Sequence, residues 1–355
     1  MIKCFILGVL FLFAISAISQ ALGPECVESP CQLEDKSVRF FVIGNWGGTD
    51  KPPYVTAGQR MCASLIQNLG EAKKPHFFVG AGDNFGESGV TDVEDSRFQD
   101  TFDDVYLYGK DTVVPWYVIA GDRDWLGNVS AQVEYTQRNS RWVFPSYAYS
   151  ATFDARPLGP SLDIIMIDTT ILCGNYSDSD TDLDNTEGPG DEDWAESLWA
   201  WIEEAMANST SDYLLVVGHY PVFSSENYGI SSCLFPRLQT LLDTFNATAY
   251  ISAHVHNLQH MKTTSTNNRT VIHHIISGGG HSLSPEYEPL AEDPRHVSSR
   301  FFFPKEFDGV KKYTKSKLSV GGLVYVELAS KSGTVEFYKC DGSYLYDFKL
   351  EPRLV

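Results

Sequence analysis

Five short segments of the chain set a carboxylate, amide or imidazole beside glycine or another small residue. They read GNWGG (residues 44–48), GDNFG (82–86), GDRDW (121–125), GHYPV (218–222) and AHVHN (253–257). A glycine next to an aspartate or histidine lets the backbone turn sharply beneath an ion. Carboxylate and imidazole together suit divalent first-row metals, and two such ions bridged by one carboxylate can hold a phosphate and activate a water. The candidate ligands are Asp83, Asp122, His219, His254 and His256, with Asn45 offering only a neutral carbonyl. His254 and His256, two residues apart, could face one metal cluster from a single loop. Each segment alone is an ordinary turn; all five in order, each after a strand pattern, form a specific signature.

The elements that must position these residues are legible as alternating apolar runs and helical patterns. Residues 38–43, 77–79, 116–119, 162–167, 213–217 and 249–251 read as buried strands. Residues 57–72 read as an amphipathic helix with Met61, Leu65 and Leu69 on one side, and further helices fall near 194–206 and 237–245. Strands and turns follow at 271–276, 323–328, 334–338 and 344–350. The ligand segments lie just past strand ends, where loops of an open α/β sheet converge. The expected architecture is one α/β domain of two packed sheets with helices outside. Trp194, Leu198 and Trp199 read as one core-facing helix side, and of His273 and His274 at least one should pack in the core. His76, His260 and His296 read as ordinary surface or core residues. His281, after Ser277 and three glycines, is within reach of the site rim but is read the same way.

Composition narrows the class. The 355-residue chain is 43% hydrophobic, enough for a substantial core. A basic start, an apolar stretch over residues 5–18 and small residues near Ala21 read as a signal peptide over residues 1–21. No later segment is long and apolar enough to span a bilayer. Export makes the six cysteines after Cys4 disulfide candidates without deciding their pairing. It also makes Asn128, Asn175, Asn208, Asn246 and Asn268, each in an Asn-x-Ser/Thr sequon, candidate glycosylation sites on exposed loops. A net charge of −19 argues against nucleic acid or an anionic membrane as partner. The acidic stretch at 178–193 lacks the glycine and terminal glutamate of a calcium loop and reads as solvated.

The chain resembles the purple acid phosphatases, and among them the small, tartrate-resistant animal type, over about residues 36–350. The likeness extends beyond the ligand segments to RFQDTFDDVY, VPWYVIAG, LGNVSAQ, LCGN, VVGHYPVFS and HNLQ. It implies the four-layer α/β/β/α sandwich of the metallophosphoesterases. It also implies a Cys173–Cys233 disulfide, glycans on Asn128 and Asn175, and an exposed loop over the site at residues 178–193. The residues that depart from the family lie in its chemistry. Asn45 stands where the family has aspartate and Gly86 where it has a tyrosine phenolate. Those two anions, with the bridging Asp83 and a histidine matching His256, would hold the ferric ion that gives the family its colour. Asp83, His219 and His254 match the second site, with Asp122 in place of an asparagine. Histidines that handle protons correspond to Arg123 and Tyr228, and another nearby becomes Trp125.

Arg123 stays protonated, so it cannot donate a proton to a leaving alkoxide, but it can grip phosphate bidentately. One divalent ion plus Arg123 carries about +3 against Asp83 and Asp122, a net of about +1. A second divalent ion would raise the net to about +3 with fewer ligands, which is unfavourable. The residues thus predict one divalent ion (Zn, Mn or Fe), with a guanidinium in the electrostatic role of the other. The expected protein is secreted or lysosomal. It retains that ion, binds phosphate or a phosphomonoester, and has lost most or all hydrolysis. The competing expectation is a working acid phosphatase on an atypical mononuclear site, with Arg123 and Asp124 as its catalytic residues. Iron carriage is weakened by the missing phenolate.

Overall fold

The structure, a computed structural model, describes residues 30–106, 114–175, 188–225, 229–264, 271–284, 297–304 and 320–353. The expected signal peptide, Asn268, Tyr228 and most of the acidic stretch lie outside these residues. Two sheets pack face to face with helices outside, the α/β/β/α sandwich. From edge to edge the first contains Tyr344–Leu350, Gly333–Lys339, Gly322–Ala329, Ser37–Ile43, Phe77–Gly80, Trp116–Val118 and Trp142–Val143. The second contains Cys31–Gln32, Tyr149–Asp154, Ser161–Met166, Tyr213–Val217, Ala249–Ser252, Val271–Ser277, Leu258–Thr264 and Ser298–Phe303.

The register places the ligand loops at the sheets' carboxyl edge. Ser37–Ile43, Phe77–Gly80 and Trp116–Val118 are consecutive parallel neighbours, so the loops carrying Asn45, Asp83 and Asp122 leave side by side. In the other sheet Tyr213–Val217 and Ala249–Ser252 are parallel neighbours, which sets His219 beside His254. Trp46 and Phe85, each next to a site residue or one removed, are fully buried and anchor these loops to the core. Trp46 packs on Trp116 at 5.4 Å, on Phe102 at 5.8 Å and on Phe85 at 6.2 Å. Aromatic side chains of this size bury ~150–250 Å² each, which ties the two loops to the core.

Helix Ala57–Lys73 starts where Thr56 accepts from the Gln59 amide (3.1 Å) and ends where Lys74 turns left-handed. Its fully buried face carries Cys62, Leu65 and Ile66, while Met61 and Leu69 are only partly buried. Of the expected face only Leu65 is fully buried, and Cys62 is tied to Cys340 by a disulfide. The Cys173–Cys233 disulfide implied by the resemblance is present, and Cys31 is also disulfide-bonded. Helix Glu192–Ala207 buries Leu198 and Trp199 as expected, but Trp194 is 38% exposed and lies against other rings instead. Strands Tyr149–Asp154, Leu258–Thr264 and Ser298–Phe303 escaped the sequence reading, because their mixed polarity lacks a long apolar run.

His260, His273 and His274 are all buried in the core. His260 stacks on Phe348 at 3.6 Å, and its ring nitrogens lie 3.1 Å from the Tyr346 hydroxyl and 3.0 Å from His273. Burial, followed by the His273 charge, pushes His260 down to about 2. Burial, followed by Lys262, pushes His273 to about 3, and burial with His273 pushes His274 to about 3. Their folded-state values lie below the ordinary value of about 6.5. The stability they contribute is therefore complete above that pH and is lost as the pH falls toward the folded values. The melting temperature is expected to fall between about pH 7 and about pH 4, and less steeply in His260→Phe, by about one proton or ~1.4 kcal/mol per pH unit. Equal slopes in thermal melts of the two proteins would contradict this assignment.

Candidate metal centre

Three of the site residues sit where the backbone reverses through left-handed φ immediately after a strand: Asn45 (φ 51°), Asp83 (φ 53°) and His254 (φ 63°). Non-glycine residues rarely adopt this region, and where they do the strain clusters at functional sites. Here the turn aims each side chain back across the sheet edge. Asp83 also needs Gly121 beside it, since a Cβ there would come within 2.3 Å of Asp83 Oδ1.

Asp122, His219 and His254 converge, each buried, with one ligand atom apiece all within 4.8 Å of one another. Asp122 Oδ1 lies 3.0 Å from His219 Nε2 and 2.9 Å from His254 Nδ1. His219 Nδ1–H donates to the Ala81 carbonyl at 2.8 Å, which fixes the tautomer and leaves Nε2 facing the carboxylates. Asp83 Oδ1 is 3.4 Å from the same Nε2. Burial alone would lower the His219 imidazole, but the Asp83 and Asp122 carboxylates outweigh it and hold it well above the ordinary range. Burial would likewise raise Asp122, yet His254 and His219 hold it well below. The site demands a positive charge at its centre, which a divalent ion on these donors supplies as well as a proton does. Two imidazoles and one or two carboxylates fit Zn, Mn or Fe(II).

The other half of the expected centre is built differently. Asn45 Nδ2 donates to Asp83 Oδ2 (3.0 Å) and to the His254 carbonyl (3.2 Å), so its nitrogen, not its oxygen, faces the bridging carboxylate. His256 is not among the three and stands ring to ring with His281 at 4.9 Å. His281 Nδ1–H donates to the Asn45 carbonyl at 2.6 Å. Its place in the site is a correction to its reading as an ordinary loop histidine, for which the only signal was its position after Ser277-Gly-Gly-Gly. Asn45, Asp83, Arg123, His256 and His281 line a cavity of about 290 Å³ together with Gly86 and Glu87. The Arg123 amide donates to Asp83 Oδ1 at 3.0 Å, while its guanidinium is 40% exposed with Nε 3.7 Å from Asp122 Oδ2.

At Gly86, where the resemblance implies a tyrosine, the backbone itself resists a side chain. Its φ is 51°, and a Cβ there would come within 2.6 Å of Asp50 Oδ1. That oxygen accepts from the Glu87 amide at 2.8 Å and faces Arg97 at 3.6 Å. Gly86→Tyr is therefore expected to cost about 2 kcal/mol in urea unfolding, from strain and the displaced Asp50 loop. It should create no visible charge-transfer band with ferric iron; a stable, coloured variant would refute the reading.

Asp124 is fully buried and turned away from the cavity. Its carboxylate accepts from the amides of Asn84, Phe85 and Gly121 and from Gln132 Nε2. Burial, followed by the Asp83 charge, raises it to about 6. This geometry assigns it to holding the Asp83 and Asp122 loops together. Asp168, unnoticed in the sequence although Asp-Thr-Thr after a strand is a helix-start pattern, caps helix Thr169–Cys173 and accepts from Trp125 Nε1 at 2.9 Å. Among the sequons, Asn208 is exposed, while Asn128, Asn175 and Asn246 are half-buried. Asn128 caps helix Val129–Tyr135 through its oxygen.

A two-sheet sandwich with Asp, His and His loops meeting at its carboxyl edge defines the metallophosphoesterase class. The chain belongs to the calcineurin-like phosphoesterase family, whose model matches residues 39–258. It is 36% identical to human (Homo sapiens) tartrate-resistant acid phosphatase type 5 over 317 residues, 89% of this chain and 92% of that one. It is 27% identical to purple acid phosphatase 4 of Arabidopsis thaliana, over 88% and 86% of the two chains. Among solved structures it is similar to the Plasmodium protein titled "GAP50 the anchor in the inner membrane complex", with a TM-score of 0.68, 25% identity and 90% of each chain covered.

Proposed function

We propose that this protein is an exported member of the purple acid phosphatase group that binds one divalent ion and phosphate, with hydrolysis of phosphate monoesters lost or strongly reduced. The observation that carries this reading is the Asn45 amide donating to Asp83 Oδ2. A carboxylate that would bridge two ions here spends one oxygen on a neutral hydrogen bond, and Gly86, at the expected phenolate position, sits at φ 51°, where a side chain is strained. Asp122, His219 and His254, with Asp83 beside them, would hold the ion, which when bound would polarise a phosphate oxygen or a water. Arg123 would hold phosphate from the exposed side. His281 and Asn45 shape the cavity floor through their mutual hydrogen bond. Disulfides at Cys62–Cys340 and Cys173–Cys233 support an oxidising compartment, and the sequons support glycosylation during export. The likeness to a protein titled as an anchor supports a role through binding.

The competing reading, an active phosphatase on a mononuclear site, is favoured by one observation. The cavity of about 290 Å³ is preserved, and Arg123 and two histidines line it. Hydrolysis of a phosphate monoester from about pH 4 to about pH 8 with Zn, Mn or Fe(II), beside Asp83→Ala, separates the two. The expected result is no difference between the proteins. Turnover that disappears with Asp83 would establish the active reading instead.

A further inference from the structure

A second hollow, of about 260 Å³, is lined on one side by Trp125 and Trp194, which touch, and is not used by the metal centre. The indole N–H of Trp125 is committed to Asp168, which fixes the ring's orientation. Trp125 stacks on Tyr147 at 5.7 Å, and Trp194 stands edge-on to both, at 6.0 Å and 5.2 Å. Trp194 remains 38% exposed although the next turns of its helix enter the core. A large side chain held at the surface by ring contacts is available to a ligand.

The rest of the wall carries polar side chains, and its one charged group is a carboxylate. Thr170 is 7% exposed, and its hydroxyl has no partner among the described residues. Asn175 Oδ1 is buried and likewise without one. The Asp191 carboxylate completes the rim, with one oxygen capping the Trp194 amide at 3.0 Å. The Thr170 hydroxyl and the Asn175 amide can donate or accept, so the sign is set by the Asp191 carboxylate and the negative indole faces, which favour a cation. The complementary ligand is a flat cation with several N–H donors, which can lie on an indole face while its edge reaches the oxygens. A lysine ammonium is compact and more strongly hydrated and matches this geometry less well. Residues 176–187, between the two walls in sequence, contain no lysine or arginine, and Glu192 and Asp193 follow Asp191 directly. The adjoining segments thus supply no such cation, and the chain's charge of −19 favours a basic partner as its source.

We propose that the hollow lined by Trp125, Trp194, Thr170, Asn175 and Asp191 receives an arginine side chain from a basic partner protein. The test is fluorescence anisotropy of a labelled, arginine-rich peptide at roughly physiological salt, where diffuse attraction is screened beyond about 8 Å. Ser177→Ala serves as the background, which removes the sequon but keeps Asn175. Trp194→Ala is expected to weaken the peptide about tenfold and Trp194→Phe by less, with an unchanged melting midpoint and unchanged metal loading. A lysine peptide of equal length should bind as weakly to the background as the arginine peptide does to Trp194→Ala. Equal arginine-peptide affinity with and without Trp194 would overturn the proposal, leaving only general attraction to an acidic surface. So would Trp194-dependent binding of N-acetylglucosamine in place of the peptide, which would make the hollow a sugar site.

Discussion

Replacing Asp122 by alanine is expected to take the protein from about one bound divalent ion per chain to none. Asp122 Oδ1 is the atom that His219 Nε2 and His254 Nδ1 share, so its loss leaves two imidazoles with no common anion. Mutating an outer-shell partner already costs ~10–100-fold in metal affinity, and removing a ligand should exceed that. The readout is zinc retained after equilibrium dialysis, together with the thermal shift that zinc produces. An ion present at about 100 times its dissociation constant stabilises the wild type by ~2.7 kcal/mol, and this gain should vanish in the variant. His256→Ala supplies the contrast, because His256 is not among the three converging ligands and its ring meets His281 instead. It should keep the ion. Loss of zinc from His256→Ala but not from Asp122→Ala would move the metal to the half of the site judged rebuilt. Two ions retained by the wild type would remove the case for Arg123 standing in for one of them.

Asp124→Ala should be among the most destabilising single changes in the chain, at about 4 kcal/mol in urea unfolding. Its carboxylate accepts three backbone amides and the Gln132 side chain, all buried. Each orphaned donor costs ~1–3 kcal/mol, and part of that is recovered by relaxation or entering water. Asp124→Asn keeps one acceptor oxygen but turns an NH₂ toward amide donors, so it should cost less than alanine and more than a surface change. The same experiment decides what kind of residue Asp124 is. A structural role predicts a lower unfolding midpoint, with metal affinity changed only as the Asp83 and Asp122 loops loosen. An Asp124→Ala protein of wild-type stability that had lost only a chemical activity would make it catalytic after all.

These results would bear differently on what was legible before folding. The ligand segments could be found because their signals are local: an apolar run, then glycine beside Asp or His, places a polar side chain just beyond a strand end. Strand 213–217, helix 57–73 and strand 344–350 were legible on similar grounds, since periodicity is a property of neighbours in the chain. The strands at 149–154, 258–264 and 298–303 are edge or mixed-polarity elements whose pattern only makes sense once their partners are known. Trp194 shows the same limit on a helix. Its spacing matches that of Leu198 and Trp199, but only the fold decides that the rings of Trp125 and Tyr147 lie beside it.

By itself, then, the sequence determined the class of chain and the chemistry on offer: an acidic sandwich protein carrying Asp83, Asp122, His219, His254 and His256, with Asn45 and Gly86 at two positions where anions would complete a second metal site. Tertiary structure alone decided how those groups are used. It turned the Asn45 nitrogen toward Asp83, gave Gly86 a left-handed turn beside Asp50, set His256 against His281, brought His281 onto Asn45 and tied Cys62 to Cys340. The physical reason is that residue type and local backbone preference are written along the chain. The partner of a side chain, by contrast, is set by the register and packing of elements far apart in it, across 236 positions for His281 and Asn45.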